Sequence, residues 1–173
     1  QKYVINSDTQ EYIGIVGSGF KCENHGAFFR RVSYTMTEHL DSHETEGAIV
    51  SWKSAYNNGM GVMDVRLPKV SAKITTDRNE FDVQQRIIAL HGVNGTCSNV
   101  AIFGAIDFFC LNGMITGKHD TIKRKNTSGF DMDRFITRLN KSKDDFYGRT
   151  KQLQTWAESS LVTVDVKALL DSI

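Results

Sequence analysis

The last third of the sequence concentrates basic side chains, the groups that neutralise nucleic-acid phosphates. Residues 118–151 carry 10 Lys and Arg against 5 Asp and Glu, whereas residues 1–117 carry 10 against 12. A cluster of this kind supplies the sequence-independent part of nucleic-acid affinity. The candidate phosphate contacts are Lys118, Lys123, Arg124, Lys125, Arg134, Arg138, Lys141, Lys143, Arg149 and Lys151.

Aromatic side chains would complete a site for single strands, because exposed rings stack on unpaired bases. Trp52 and Tyr56 lie close together in the sequence, and Tyr147 lies within the basic region. The ordinary alternative is a solvated helix surface, since four aspartates between positions 131 and 145 partly cancel the basic charge. The pattern therefore indicates nucleic acid as a partner and leaves the solvated surface open.

Two arrangements of histidines could instead support a metal-dependent enzyme acting on nucleic acid. His39 and His43 are four residues apart, which on a helix places both imidazoles on one face, as metal ligands require. His91 and Asp107 are a second candidate pair. The alternative without a metal is a solvated helix end for the first pair and a buried core histidine for His91.

No cofactor is predicted from the motifs. The glycines at 14, 17 and 19 look like a dinucleotide fingerprint, but the next helix begins late and a hairpin follows it, so they indicate a turn. The three cysteines show no CxxC spacing, which argues against a zinc ribbon and for a reducing compartment. No apolar run approaches about 18 residues, so no membrane span is expected.

The elements before position 70 are predicted from periodicity and turn signals. A short apolar run predicts a strand at 12–16. Apolar residues then recur every four positions, which predicts a helix over 25–41 with Asn24 as its N-cap. Runs 49–56 and 61–67 flank Asn57-Asn58-Gly59 and predict a hairpin.

The second half of the chain predicts another hairpin and then helices. Runs 84–93 and 99–109 surround Asn94-Gly95, a strong turn signal. The polar stretch 116–129 is typical of a long loop or an extended hairpin. Helical stripes follow over 130–139 and 143–160, and a last short helix is expected near 163–170.

These elements predict one α+β domain over residues 1–173. It consists of an antiparallel sheet of two hairpins with a helix packed across it, and a helical C-terminal part. The sheet-rich part is 1–115, the basic loop is 116–129 and the helical part is 130–173. A length of 173 residues with 40% hydrophobic side chains is enough for one core.

The order of several segments resembles the phage/plasmid-like protein family, a family of mobile-element proteins with a domain of unknown function. The segments that carry the resemblance are Tyr12–Phe20, Asn24–Leu40, Gly59–Pro68, Arg86–Gly95, Ala105–Met114 and Phe130–Ile173. The chain departs from the family pattern at Asp107, where the family has arginine, and at Gly113, where it has threonine. The resemblance implies a protein made in the bacterial cytoplasm and supplies no activity by itself.

A hairpin sheet with a crossing helix and a basic C-terminal region also looks like single-strand annealing recombinases of the Erf and RecT type. That resemblance implies a non-enzymatic protein that binds single-stranded DNA as an oligomer, in recombination or replication. Two alternatives remain open at this point. One is a protein that binds and modulates a host enzyme, and the other is the metal-dependent enzyme.

Overall fold

The chain is built around an antiparallel sheet with helices on one face. A computed structural model describes residues 1–76, 80–107, 115–124 and 130–159, with backbone alone at 105–107, 115–121 and 124. The elements are β1 (Lys2–Ile5), β2 (Tyr12–Val16), α1 (His25–His39), α2 (Ser42–Thr45), β3 (Ile49–Ala55), β4 (Met60–Thr75), β5 (Glu80–Gly92), β6 (Asn99–Asp107), β7 (Ile115–Arg124) and α3 (Met132–Glu158). The predicted α+β class, with a helix packed on an antiparallel sheet, is confirmed.

Strand order places two chain segments at the borders of the large sheet. That sheet has the order β3-β4-β5-β6-β7, and all four neighbouring pairs are antiparallel. β1 and β2 form a separate antiparallel hairpin. Among the described residues, β3 and β7 are therefore the edge strands of the large sheet.

The helix α1 forms where the periodicity predicts it. The Asn24 side chain accepts a hydrogen bond of 2.7 Å from the Gly26 amide and caps the helix. Phe28, Val32 and Met36 are buried one turn apart, and Leu40 continues the same face just beyond the helix end. This amphipathic pattern presses α1 onto the sheet.

The first predicted hairpin is present, and its turn is unusual. Tyr56, Asn57 and Asn58 all have positive φ, between 50° and 59°. Asparagine adopts this left-handed conformation more readily than most residues, which explains the Asn-Asn pair. Along β4, Met63, Val65 and Leu67 are buried on the helix-facing side, as the alternation predicts.

The strands extend further than predicted. β4 continues to Thr75, and its register with β5 shifts between Leu67 and Ser71. Pro68 lies in this irregularity, where the missing amide hydrogen removes no ladder bond. β7 occupies much of the stretch 116–129, so the extended-hairpin interpretation describes its backbone better than a loop.

A single helix, α3, replaces the two helical segments predicted between 130 and 160. Its buried side chains are Phe135, Leu139, Ser142, Phe146 and Thr150. Two of these five are polar, which interrupts the apolar pattern while the helix continues. Trp156, predicted on an apolar stripe, is instead 61% exposed. The segment expected to form a last helix near 163–170 lies outside the described residues.

The core lies between the sheet and the helices α1 and α3. It combines Phe28 and Val32 of α1 with Phe135 and Leu139 of α3 and with Ile87 on the central strand β5. A smaller cluster of Val4, Val16 and Val93 joins the β1–β2 hairpin to the end of β5. No helix in the described part of the chain is both long and apolar enough to cross a membrane.

Candidate nucleic-acid interface

The predicted basic residues of the polar stretch lie along one border of the sheet. Lys118, Lys123 and Arg124 all belong to the edge strand β7. Lys123 is exposed and pairs in register with Val100 of β6. Lys125 lies outside the described residues. The structure therefore collects the described members of this group on one strand.

Four of the basic residues of α3 share one flank of the helix. At 100° per residue, Arg134, Arg138, Lys141 and Arg149 fall within a sector of about 80°. This flank faces β6, because Arg149 lines a small cavity of about 20 Å³ together with Phe103 and Gly104. Arg138 and Arg149 already interact with neighbouring groups, and the Nζ atom of Lys141 lies 3.9 Å from Oδ1 of Asp145. Arg134 and Lys141 are the exposed members of this flank.

Lys143 and Lys151 do not belong to that flank. The Lys143 ammonium forms an ion pair with the Glu44 carboxylate and so connects α3 to α2. The hydrogen bond to Glu44 raises the pKa of Lys143. Lys151 lies on the outer side of α3, near Tyr147 and Lys73. The six basic residues predicted on the helices therefore do not all lie on one flank of α3.

The predicted aromatic contacts lie at the opposite border of the sheet from β7. Trp52 is on β3 and Tyr56 is in the turn that follows, with exposed fractions of 65% and 74%. Four strand spacings separate β3 from β7, a distance of about 19 Å. Within one copy of the chain, Trp52 is therefore too far from Lys123 for the two to contact the same nucleotide.

A groove between α1 and β3 contains the predicted residue Trp52. It has a volume of about 620 Å³. Val50, Trp52 and Met63 form the sheet side, and α1 forms the other wall. Tyr34 on α1 is 65% exposed, as is Trp52, so two aromatic rings are accessible in one groove. The Arg30 guanidinium also lines the groove and has no ion-pair partner among the described residues.

The wall that α1 contributes follows from its spacing. Gly26, Arg30, Ser33 and Thr37 are separated by four, three and four residues, so they form one stripe along the helix. This stripe lies beside the apolar stripe that enters the core. Interaction with the Glu38 carboxylate, one turn later on α1, raises the pKa of Tyr34.

A glycine on β4 allows α1 to approach the sheet closely. A Cβ atom at Gly61 would lie 2.7 Å from His25 Nδ1 and 2.9 Å from Phe29 Cζ. Phe29 in turn lies beneath Trp52, with 6.5 Å between ring centroids. Gly61 thus lets α1 pack close to the sheet, which places the Phe29 ring under the Trp52 ring.

The half-buried His25 and the buried His91 form a pair next to this groove. Their Nδ1 atoms lie 2.8 Å apart, and His25 Nε2 lies 2.8 Å from the Asn58 carbonyl oxygen. With both rings neutral, His25 donates from Nε2 to that carbonyl and accepts the Nδ1 proton of His91. Burial, with His25 and Arg31 nearby, lowers the pKa of His91 to about 4. His91 is therefore a neutral core residue. Of the two interpretations that the sequence allows, this agrees with a buried core histidine rather than a metal ligand.

The geometry argues against the predicted metal sites. α1 ends at His39 and α2 begins at Ser42, so His39 and His43 are not on one helix. Asp107 pairs with Val83, eight residues along β5 from His91, which corresponds to about 26 Å. His91 and Asp107 therefore cannot share an ion, and the described residues contain no group of three His, Cys, Asp or Glu that could hold one.

The sequence interpretation missed Arg30, Tyr34 and the partnership of His25 with His91. Arg30 and Tyr34 carried a usable signal, because a basic and an aromatic residue four positions apart share a helix face. The histidine pair carried none, since its members are separated by 66 residues. Comparisons with protein-family models, curated proteins and solved structures found no match to this chain.

Proposed function

We propose that this protein binds single-stranded DNA without chemical turnover, as an annealing or protecting protein in phage or plasmid recombination or replication. The proposal includes membership of the phage/plasmid-like family, homo-oligomerisation and action in the bacterial cytoplasm. The observation that carries it is the groove between α1 and β3. There, exposed rings of Trp52 and Tyr34 lie beside the Arg30 guanidinium, which has no ion-pair partner among the described residues.

This combination matches the chemistry of an unpaired strand. Every base has an aromatic face, so stacking on a ring tolerates any sequence, while a guanidinium neutralises a phosphate. Duplex DNA would gain little from Trp52, because its bases are already stacked on each other. The groove therefore favours single strands over duplex.

Oligomerisation would bring the separated basic and aromatic groups together. All of β3 except Ala55 is exposed, and β7 is the other edge strand. If β7 of one copy pairs with β3 of the next, the basic strand lies about 5 Å from the strand that carries Trp52. One bound strand could then contact Lys123 of one copy and Trp52 of its neighbour.

The test is fluorescence anisotropy with labelled single-stranded and duplex oligonucleotides over a salt series. We expect tighter binding to the single strand, with affinity that falls steeply as salt rises. Trp52→Ala should weaken single-strand binding about tenfold, the value of one stacked base. Arg30→Ala should lower the slope of log affinity against log salt by about 0.7.

Two matched controls isolate the groove. Trp156→Ala removes another exposed tryptophan, on α3, and Lys73→Ala removes a lysine paired with Glu80. Both should bind like the wild type. Equal losses in Trp52→Ala and Trp156→Ala would refute the groove as the site. No binding to either oligonucleotide at low salt would refute the function, and a protein that modulates a host enzyme would become the leading interpretation.

A further inference from the structure

A second cavity opens beside Trp52, at the end of the groove. It has a volume of about 430 Å³, within the range of small-molecule sites. Trp52 and Gly26 line both this cavity and the groove, so the two are continuous. Its other walls come from the β1–β2 hairpin, from residues 22–26 and from the β3–β4 turn.

Two polar side chains in this cavity have unused hydrogen-bonding capacity. The Ser54 hydroxyl and the Asn58 carboxamide make no side-chain hydrogen bond to any described residue, and both line the cavity. A carboxamide both donates and accepts, as a hydroxyl does. Ser54 lies two residues after Trp52, so it projects from the same face of β3.

The wall that carries Asn58 is held in place by the neighbouring histidines. The Asn58 carbonyl accepts a hydrogen bond from His25, and His25 accepts one from the buried His91. Asn57 also donates from its side chain to the Tyr12 carbonyl, at 3.2 Å. Because the turn is held from two sides, the backbone at Asn58 is fixed before any ligand arrives.

From these contacts we infer that the cavity binds one unstacked nucleobase, with its ring on Trp52 and its polar edge toward Ser54 and Asn58. This inference rests on the proposed function and deepens it. The ligand chemistry is a planar aromatic ring with donors and acceptors along one edge, which a base of DNA, of RNA or of a free nucleotide supplies. A base within a duplex cannot enter, since its edge and both its faces are occupied.

The experiment compares an oligothymidylate with an oligomer of equal length and charge that carries abasic sites. We expect the abasic oligomer to bind about tenfold more weakly, because it keeps the phosphates and loses the stacking ring. An oligonucleotide with 2-aminopurine should lose fluorescence on binding the wild type. It should lose less on binding Trp52→Ala, and Trp156→Ala should behave like the wild type.

Hydrogen bonding at the base edge is tested by Asn58→Asp, which keeps a residue that tolerates positive φ. Replacing the donor amide by a carboxylate should change the order of the affinities for the four homopolymers. Ser54→Ala should reduce the differences between these affinities. Oligouridylate and thymidine monophosphate, measured in the same assay, identify whether RNA or a free nucleotide uses the cavity.

The outcomes separate the two proposals. Equal affinity for the abasic and the ordinary oligomer would overturn the base cavity and leave single-strand binding standing. An unchanged homopolymer ranking in both Asn58→Asp and Ser54→Ala would also overturn it. Absence of binding to oligonucleotides and to thymidine monophosphate alike would overturn both proposals.

Discussion

Acid should destabilise this protein through one buried histidine. His91 is 1% exposed, stacks on Phe28 with 4.3 Å between ring centroids, and bonds to His25. Protonation would place a charge in this aromatic environment beside a second imidazole and near Arg31. The folded state therefore resists protonation of His91 far more than the unfolded chain does.

The pKa values set the sign, the pH window and the size of the effect. The pKa of His91 falls from 6.5 to about 4 on folding. Above pH 6.5 the residue is neutral in both states and adds no pH dependence. Between pH 6.5 and about 4 the unfolded chain binds a proton that the folded protein does not, so stability falls as pH falls. The full loss is about 3 kcal/mol, a large part of the roughly 5–15 kcal/mol typical of a domain.

Urea unfolding at several pH values between 7 and 4 measures this loss, with His91→Gln as the comparison. Glutamine does not titrate. The free energy of unfolding of the variant should therefore fall by about 3 kcal/mol less than that of the wild type over this pH range. Carboxylates titrate in both proteins and cancel in the difference. Identical pH dependence in the two proteins would refute the reasoning. An NMR titration of the wild type gives an independent check, because a pKa for His91 near 6.5 would refute it even if the variant does not fold.

Four further predictions concern packing and charge. Changing Lys123, Arg124 and Lys125 together to Ala should weaken single-strand binding and reduce the slope of log affinity against log salt by up to about 2. Unchanged affinity would place the phosphate contacts elsewhere. Gly61→Ala should cost about 1–3 kcal/mol in urea unfolding, because its Cβ would meet His25 at 2.7 Å. Gly148→Ala, an open helical position, should instead stabilise by up to about 1 kcal/mol, and a loss there would contradict the helical placement. Lys143→Ala should leave DNA affinity unchanged, since the Lys143 charge is paired with Glu44, and should lower the free energy of unfolding by less than about 1 kcal/mol. A clear loss of affinity would show that Lys143 contacts DNA.

Local signals predicted the elements whose residues interact over short sequence distances. The four-residue spacing from Phe28 to Met36, with Asn24 ahead of it, predicted α1 almost to the residue. The Asn-Asn-Gly and Asn-Gly turns predicted where the strands reverse. Each of these signals depends on backbone preferences that neighbouring residues establish without help from the rest of the chain.

The same reasoning failed where a polar residue is satisfied by a distant partner. Ser142 occupies a core position in α3 because its hydroxyl accepts a 2.7 Å hydrogen bond from Gln85 of β5 and donates one to the Leu139 carbonyl. From the sequence alone, this serine interrupts an apolar stripe and divides the helix. A polar residue is tolerated in a core when its hydrogen bonds are made, and the partner that makes them is 57 residues away.

The sequence by itself determined the α+β class, the position of α1 and the presence of Trp52 and the basic residues. Tertiary structure decided which of these residues share a surface. Strand order separates Trp52 from Lys123 by the width of the sheet, and it places Trp52 beside Arg30 and Tyr34 of α1. The physical reason is that hydrogen-bond partners in an antiparallel sheet and helix contacts across a core link residues far apart in the chain. Composition and periodicity describe only neighbours along it.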